Sequence, residues 1–349
     1  MTEQQNNKLL REFEQELTKL YPTFEFGFSH GSMINGEITG QLYEFLVCQK
    51  AFGGLDYDFK PQNEFIHYTS LDAFYGILNT GEIRLYDLSS LNDPYEFNYI
   101  IKKNNIQFEN AQIEKFKRSL FITSLCTYND DIKDKFEMWR LYGQNGLGVA
   151  IVFTIENPND NWLHFLLGKV QYGSDKSSSK VLLEAINLIN VYIRDKGMIL
   201  ERIPELFGYL LMLHKNEIWK TEEEYRLGIY AEHIPYSLSK EILFDHEINQ
   251  LVQNNFSLFI NRRGNESSYL TIPLQYKLQK EFQKHFENEE EYEKFLKKVP
   301  QIRIKKVVAG YALSDKLVNS LKMFAYTVST EKWKHYIQVE ESHLNEWFK

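Results

Sequence analysis

A chain of 349 residues, 43% hydrophobic and 25% charged, has ordinary globular composition and enough length for a sizeable core, which excludes wholesale disorder and a disulfide-stapled miniprotein. Forty basic against 48 acidic side chains leave a formal charge of −8, which argues against a broadly basic nucleic-acid binder. The two cysteines, Cys48 and Cys126, can form neither a disulfide scaffold nor a cysteine zinc knuckle, and no run of about eighteen apolar residues is present. A soluble cytoplasmic protein with no membrane partner is the expectation.

Residues 8–20 place Leu9, Leu10, Phe13, Leu17 and Leu20 on one helical stripe, which Pro22 ends. A second apolar segment, Ile38 to Phe52, precedes the Gly53-Gly54 break. Residues 1–60 therefore read as a helical N-terminal attachment, suited to packing or to homo-oligomer contact through its helices. The body, residues 61–349, opens with a strand at Phe65–Tyr68, a helix at Leu71–Leu78, the turn Asn79-Thr80-Gly81 and a strand at Glu82–Tyr86. A loop around Asn92-Asp93-Pro94, a helix near 112–116 and a strand at Leu120–Cys126 follow.

Met138–Tyr142 reads as a short helix and Val149–Phe153, rich in β-branched residues, as a buried strand. Helical periodicity covers 180–194 and 203–218, then alternation takes over at Glu224–Tyr230. A helix is predicted over 243–260, a strand at Tyr269–Pro273, a charged helical insertion around 277–298, a strand at Ile302–Gly310 and a helix at Asp315–Phe324. The sum is α+β: one mixed domain around a mixed or antiparallel sheet, with no internal repeat.

Chemistry concentrates in a few blocks. In an extended Glu222-Glu223-Glu224-Tyr225-Arg226 segment, Glu222, Glu224 and Arg226 share one face, either as a cleft or as a solvent edge with local ion pairing. His67 and Tyr68 offer an imidazole and a phenol for ligand or core. Tyr86 ends a strand with the same ambiguity. Asn92 and Asp93 suit either loop geometry or ligand fixation, and Ser124 follows a strand. Trp139 and Tyr142 sit three apart, on one helix face, for packing first or an aromatic ligand wall second. No metal site is expected: His67, His233 and His246 lie in no compact ligand motif, and no phosphate-loop or dinucleotide glycine fingerprint exists.

The ordered blocks His67-Tyr68, Gly81, Asn92-Asp93-Pro94-Tyr95-Glu96, Trp139-Arg140-Leu141-Tyr142, Gly148 and Glu222 to Arg226 resemble domain-of-unknown-function family 2971, over roughly residues 65–325. More distantly the chain resembles ADP-ribosyltransferase-like proteins. That resemblance implies a split-sheet fold and an enzyme acting on a nucleotide ligand, with NAD as substrate rather than hydride cofactor and an unknown protein or nucleic-acid acceptor. It gives His67, Glu222 and Glu224 catalytic roles. It makes Tyr86 and Ser124 ligand contacts, to which the residues' own chemistry adds Tyr68, Asn92, Asp93, Trp139, Tyr142 and Arg226 as candidate ligand-binding residues. The alternative is a noncatalytic ligand- or protein-binding component of an intracellular stress or phage-defence system.

Overall fold

Strand β5 (Leu120–Thr127) organises the sheet. Along its whole length it pairs antiparallel with β10 (Glu224–Tyr230), from Cys126 opposite Glu224 to Leu120 opposite Tyr230, and β10 in turn pairs with β7 (Phe165–Lys169). The other edge of β5 is divided between two partners. Phe121 and Ile122 meet β4 (Glu82–Asp87), whereas Cys126 and Thr127 meet β3 (Glu64–Thr69). From β4 the sheet continues through β12 (Glu266–Pro273) to β11 (Phe256–Ile260). From β3 it continues through β6 (Val149–Ile155) to β13 (Ile302–Ala309) and β14 (Gln338–Glu341). The β13 and β14 pair is parallel and the others in this sheet are antiparallel, so the fold is α+β with a mixed, largely antiparallel sheet. The two branches fork at Thr123–Leu125. The computed structural model describes residues 3–20, 26–34, 37–47, 63–90, 96–103, 110–128, 134–158, 160, 162, 165–173, 177–198, 211–231, 251, 256–260, 264 and 266–348.

Local chemistry explains the unit that opens the body. Ser70 accepts from the Ala73 amide and caps α2 (Leu71–Thr80), and Gly81, at φ 70°, closes it with its amide on the Ile77 carbonyl. All seven residues of β6 are buried, as a β-branched run between two partner strands should be. One sheet face holds the main core, where Phe65, Phe153, Phe165, Tyr225 and Leu227 meet. The other carries two smaller apolar clusters, one around Ile122 and Leu213, the other around Ile66, Tyr68 and Trp139. Along β5, Ser124 falls between Ile122 of the first and Cys126 of the second.

Several sequence expectations need correction. Helix α1 (Glu3–Leu20) forms, but Phe26–Ile34 and Glu37–Val47 make an antiparallel hairpin, β1 and β2, so the N-terminal attachment is not wholly helical. Gly27, Gly31 and Gly40 disfavour helix there, while Phe, Ile, Tyr and Val favour strand. The α1 stripe is spent inside the chain: Leu10, Phe13 and Leu17 are buried in the cluster that contains Ala185, Ile186 and Ile189 of α6 (Ser177–Asn190). Leu9 and Leu20, half-buried, pack against the same cluster.

Of the helix expected over 203–218, residues 203–210 lie outside the described residues and Leu211 and Met212 are helical. The remainder gives way to β9 (His214–Lys215), which pairs with β8 (Gln171–Tyr172), and to a 3-10 turn at Glu217–Glu222 capped by Asn216. Phe256–Ile260 is strand rather than helix. The charged insertion breaks at Phe286–Asn288, after which Asn288 caps a separate helix, Glu289–Leu296, that buries Tyr292, Phe295 and Leu296. Among the described residues, no helix is long and apolar enough to cross a membrane.

Close backbone approaches hold α5 (Phe136–Leu141) and the turn behind it against the sheet. A Cβ on Gly148 would stand 2.2 Å from the Thr69 carbonyl oxygen, whereas one on Gly76, inside α2, would meet nothing within 4 Å. Gly148→Ala should therefore destabilise the fold by about 3 kcal/mol, the upper range for overpacking. Gly76→Ala should stabilise it by up to about 1 kcal/mol through helix propensity. Urea denaturation of both variants measures the contrast, and equal midpoints would refute it.

Candidate functional site

The turn before β10 decides where its acids point. Glu223 adopts a left-handed conformation (φ 46°, ψ 47°), uncommon for a residue with a side chain, between the 3-10 turn and the strand. Glu222 and Glu224 consequently turn inward and Glu223 outward, where it pairs with Lys135. The face shared by Glu222, Glu224 and Arg226 is an interior one rather than a solvent edge, since each is only 2% exposed.

These side chains form a network with Lys215, which is 5% exposed. The Lys215 ammonium donates to Glu222 Oε2 at 2.6 Å and to Glu224 Oε2 at 3.0 Å. Arg226 donates to Glu224 through Nε at 2.7 Å and Nη2 at 3.2 Å, and through Nη1 to the Met212 carbonyl at 2.5 Å. The Ser124 hydroxyl donates to Glu224 Oε1 and the Tyr142 hydroxyl to Glu222 Oε1, each at 2.5 Å. The Glu224 amide donates to the Tyr172 hydroxyl oxygen at 2.9 Å. Among the described residues, two cations thus face two carboxylates.

Proton affinities follow from burial and pairing. Burial pushes the Glu224 carboxyl upward, opposed by Lys215 and Ser124 and reinforced by Glu222. Burial alone would lower the Lys215 ammonium, but Glu224 and Glu222 outweigh it and hold the group above its ordinary value. Burial lowers the Arg226 guanidinium to about 9, still charged at neutral pH. Burial raises the Tyr142 hydroxyl, as does its bond to Glu222, and burial raises the Cys126 thiol, as does Glu224. Cys126 therefore stays a thiol and not a nucleophile.

A cavity of about 100 Å³ opens on this network, lined by Lys215, Glu222, Glu224, Arg226, His67, Ser124, Tyr142, Ile66, Tyr68, Cys126 and Met138. His67 sits at the fork of the sheet. Its Nδ1 lies 2.9 Å from the Ser124 carbonyl oxygen, which can only accept, so Nδ1 carries the hydrogen. Burial lowers the imidazole's proton affinity, countered in part by that carbonyl, and the neutral ring leaves its lone pair on Nε2.

The structure gathers His67, Tyr68, Ser124, Tyr142, Glu222, Glu224 and Arg226 at one cavity. Tyr86 does not line it and packs instead against Tyr269 and Phe259. Trp139 is fully buried, with its ring edge-on to Tyr68 at 5.1 Å and its Nε1 donating to Asp134 at 2.6 Å. It supports the cavity wall from behind, the packing role, and touches no cavity space. Asp134 also accepts from Ser342 at 2.5 Å and contacts His343 Nδ1 at 2.6 Å, which ties the C-terminal segment to the wall carrying Met138 and Tyr142. Asn92, Asp93, His233 and His246 lie outside the described residues. Among the described residues, no group of three or more His, Cys, Asp or Glu side chains converges as a metal site.

Sequence reasoning missed Lys215 and Tyr172. The one available signal for Lys215 was a lone charge closing the apolar run Leu211-Met212-Leu213, and helical periodicity concealed it. Tyr172 had no signal at all, because its hydroxyl meets a backbone amide 52 positions away.

A family model described as a protein of unknown function (DUF2971) matches residues 138–227, from α5 through the first half of β10. The expected relation to that family is shown over this stretch, which supplies Tyr142, Lys215, Glu222, Glu224 and Arg226. No curated protein matches the chain, and no solved structure matches it.

Removing the ammonium would strand two buried acids. Lys215→Met should cost about 3–5 kcal/mol in denaturant unfolding, with partial recovery in the Lys215→Met/Glu222→Gln double variant. A loss below about 1 kcal/mol would mean that the network is not buried as described.

His67 should also tie stability to pH. Its folded proton affinity is lowered, so its contribution is fully present above the unfolded value near 6.5 and is lost as pH falls through the folded value. Glu224, raised in the fold, acts in the opposite sense from its folded value down to the unfolded value near 4.5. It does so in native protein and variant alike, so the comparison cancels it. His67→Asn keeps a donor for the Ser124 carbonyl but cannot titrate. Between about pH 7 and pH 5 the native protein should lose stability more steeply than this variant, by up to about 1.4 kcal/mol per pH unit. Parallel melting profiles would contradict the assignment.

Proposed function

We propose that this cavity processes NAD or a closely related nicotinamide nucleotide. The reaction would break the bond between nicotinamide and ribose and pass the ribosyl carbon to an acceptor, as in ADP-ribosyltransferase-like enzymes. The observation that carries this reading is that an early imidazole, His67, and a late carboxylate, Glu224, line the same ring-sized cavity. As the bond breaks, its electron pair leaves with nicotinamide and positive charge develops on the ribose ring. Glu224, fixed by Ser124, Arg226 and Lys215, is the carboxylate placed to stabilise that charge.

An acceptor hydroxyl or a water then attacks the ribosyl carbon and gives its proton to His67 Nε2. Water as acceptor makes the reaction NAD hydrolysis. Tyr68 and Tyr142 supply the aromatic surface that Tyr86 does not. A second reading, noncatalytic ligand binding, draws on the saturation of both carboxylates by Lys215 and Arg226.

Incubation with isotopically labelled NAD and cell extract should release nicotinamide and label an acceptor. Glu224→Gln should lower release by about 100-fold or more, and His67→Asn should lower it by a similar factor. Absence of release by folded protein in several extracts, with saturable ligand binding retained, would favour the second reading.

A further inference from the structure

We infer that the cavity takes a neutral, hydroxyl-bearing sugar ring and leaves any phosphate outside, so that a nucleoside is recognised as well as its phosphorylated forms. This rests on the reading of the cavity as the ribosyl site, and it names the part of the substrate that the site recognises.

The first support is the direction of the hydrogen bonds. The Ser124 hydroxyl proton is spent on Glu224 and the Tyr142 proton on Glu222. The Nδ1 hydrogen of His67 is spent on the Ser124 carbonyl. To an occupant the Ser124 and Tyr142 oxygens therefore present lone pairs, and the carboxylates add more acceptors. Sugar hydroxyls can donate to such a surface. A phosphate, which at neutral pH mostly accepts, cannot.

The second support is charge. Anion sites aim cations and amide donors at the ligand, whereas Lys215 and Arg226 aim theirs at Glu222, Glu224 and the Met212 carbonyl. Among the described residues two cations stand against two carboxylates, and a phosphate inside would meet both carboxylates at close range.

Size and apolar lining give the third. Ile66, Tyr68 and Met138 offer nonpolar surface to the body of a ring. The enclosed space is about 100 Å³, below the about 150 Å³ of a protein cavity that holds benzene, so it takes at most one ring and leaves no room for a phosphate beside it.

The test is calorimetric binding of nicotinamide riboside, nicotinamide mononucleotide and NAD to the full chain, at low and at moderate salt. The three ligands should agree within about fivefold, with little salt dependence. Glu222→Gln removes one carboxylate charge and should shift preference toward the mononucleotide over the riboside by about tenfold. A spectroscopic check of folding accompanies the variant, and the comparison on the native chain decides the matter if the variant does not fold. Mononucleotide or NAD binding more than about fivefold tighter than riboside would overturn the inference, as would failure of all three to bind. Riboside binding at parity without nicotinamide release would uphold it while removing the catalytic reading.

Discussion

A single ammonium group, Lys215, makes the interior of this protein possible. It bonds to Glu222 and Glu224 together, and Arg226 also pairs with Glu224. Glu224 and Arg226 cannot escape to water, because β10 is held between β5 and β7, and Glu222, at the end of the turn before it, is equally buried. Isolated charges in such a place would be forced to give up or take on protons. Four charges buried together, with hydroxyls and carbonyls filling the remaining bonds, can stay ionised. The short β8 and β9 ladder matters for this reason: Tyr172 and Lys215 pair within it, and each reaches Glu224, one at its amide and the other at its carboxylate.

The fork in the sheet serves the same site by a different route. Where β3 and β4 part from β5, the Ser124 carbonyl faces the imidazole of His67 in place of a strand amide. A backbone requirement thereby sets the tautomer of a side chain. Ser124 also orients Glu224 with its hydroxyl, so a single residue on β5 fixes the two groups that the proposed chemistry needs. The wall opposite is held from behind by Trp139, Asp134 and the C-terminal Ser342 and His343, and through it Met138 and Tyr142 keep their places.

Much of the sheet was legible because its signals are local. Ser70 and Gly81 bracket a helix between two alternating segments, and Val149–Phe153 carries the composition of a buried strand. The spacing of two in Glu222, Glu224 and Arg226 put them on one face, although a left-handed Glu223 rather than simple extension achieves it. The partnership with Lys215 was not legible. A two-residue strand is too short to display alternation, and the apolar positions around it fit a helical period equally well. The β1 and β2 hairpin and the strand at 256–260 failed for a related reason: apolar runs of that length suit either element until pairing decides.

Charge pairing sets the terms for any chemistry here. A carboxylate that shares two cations stabilises a developing positive charge less than a bare one would at the same distance. Its advantage is that it is held rigid and dry by partners that need not reorganise. A ligand that donates hydrogen bonds to the lone pairs of Ser124 and Tyr142 would leave those partners undisturbed. One that accepts would have to pull protons away from Glu222 and Glu224 and expose the charges they quiet. The arrangement that lets four charges be buried thus also limits what can enter beside them.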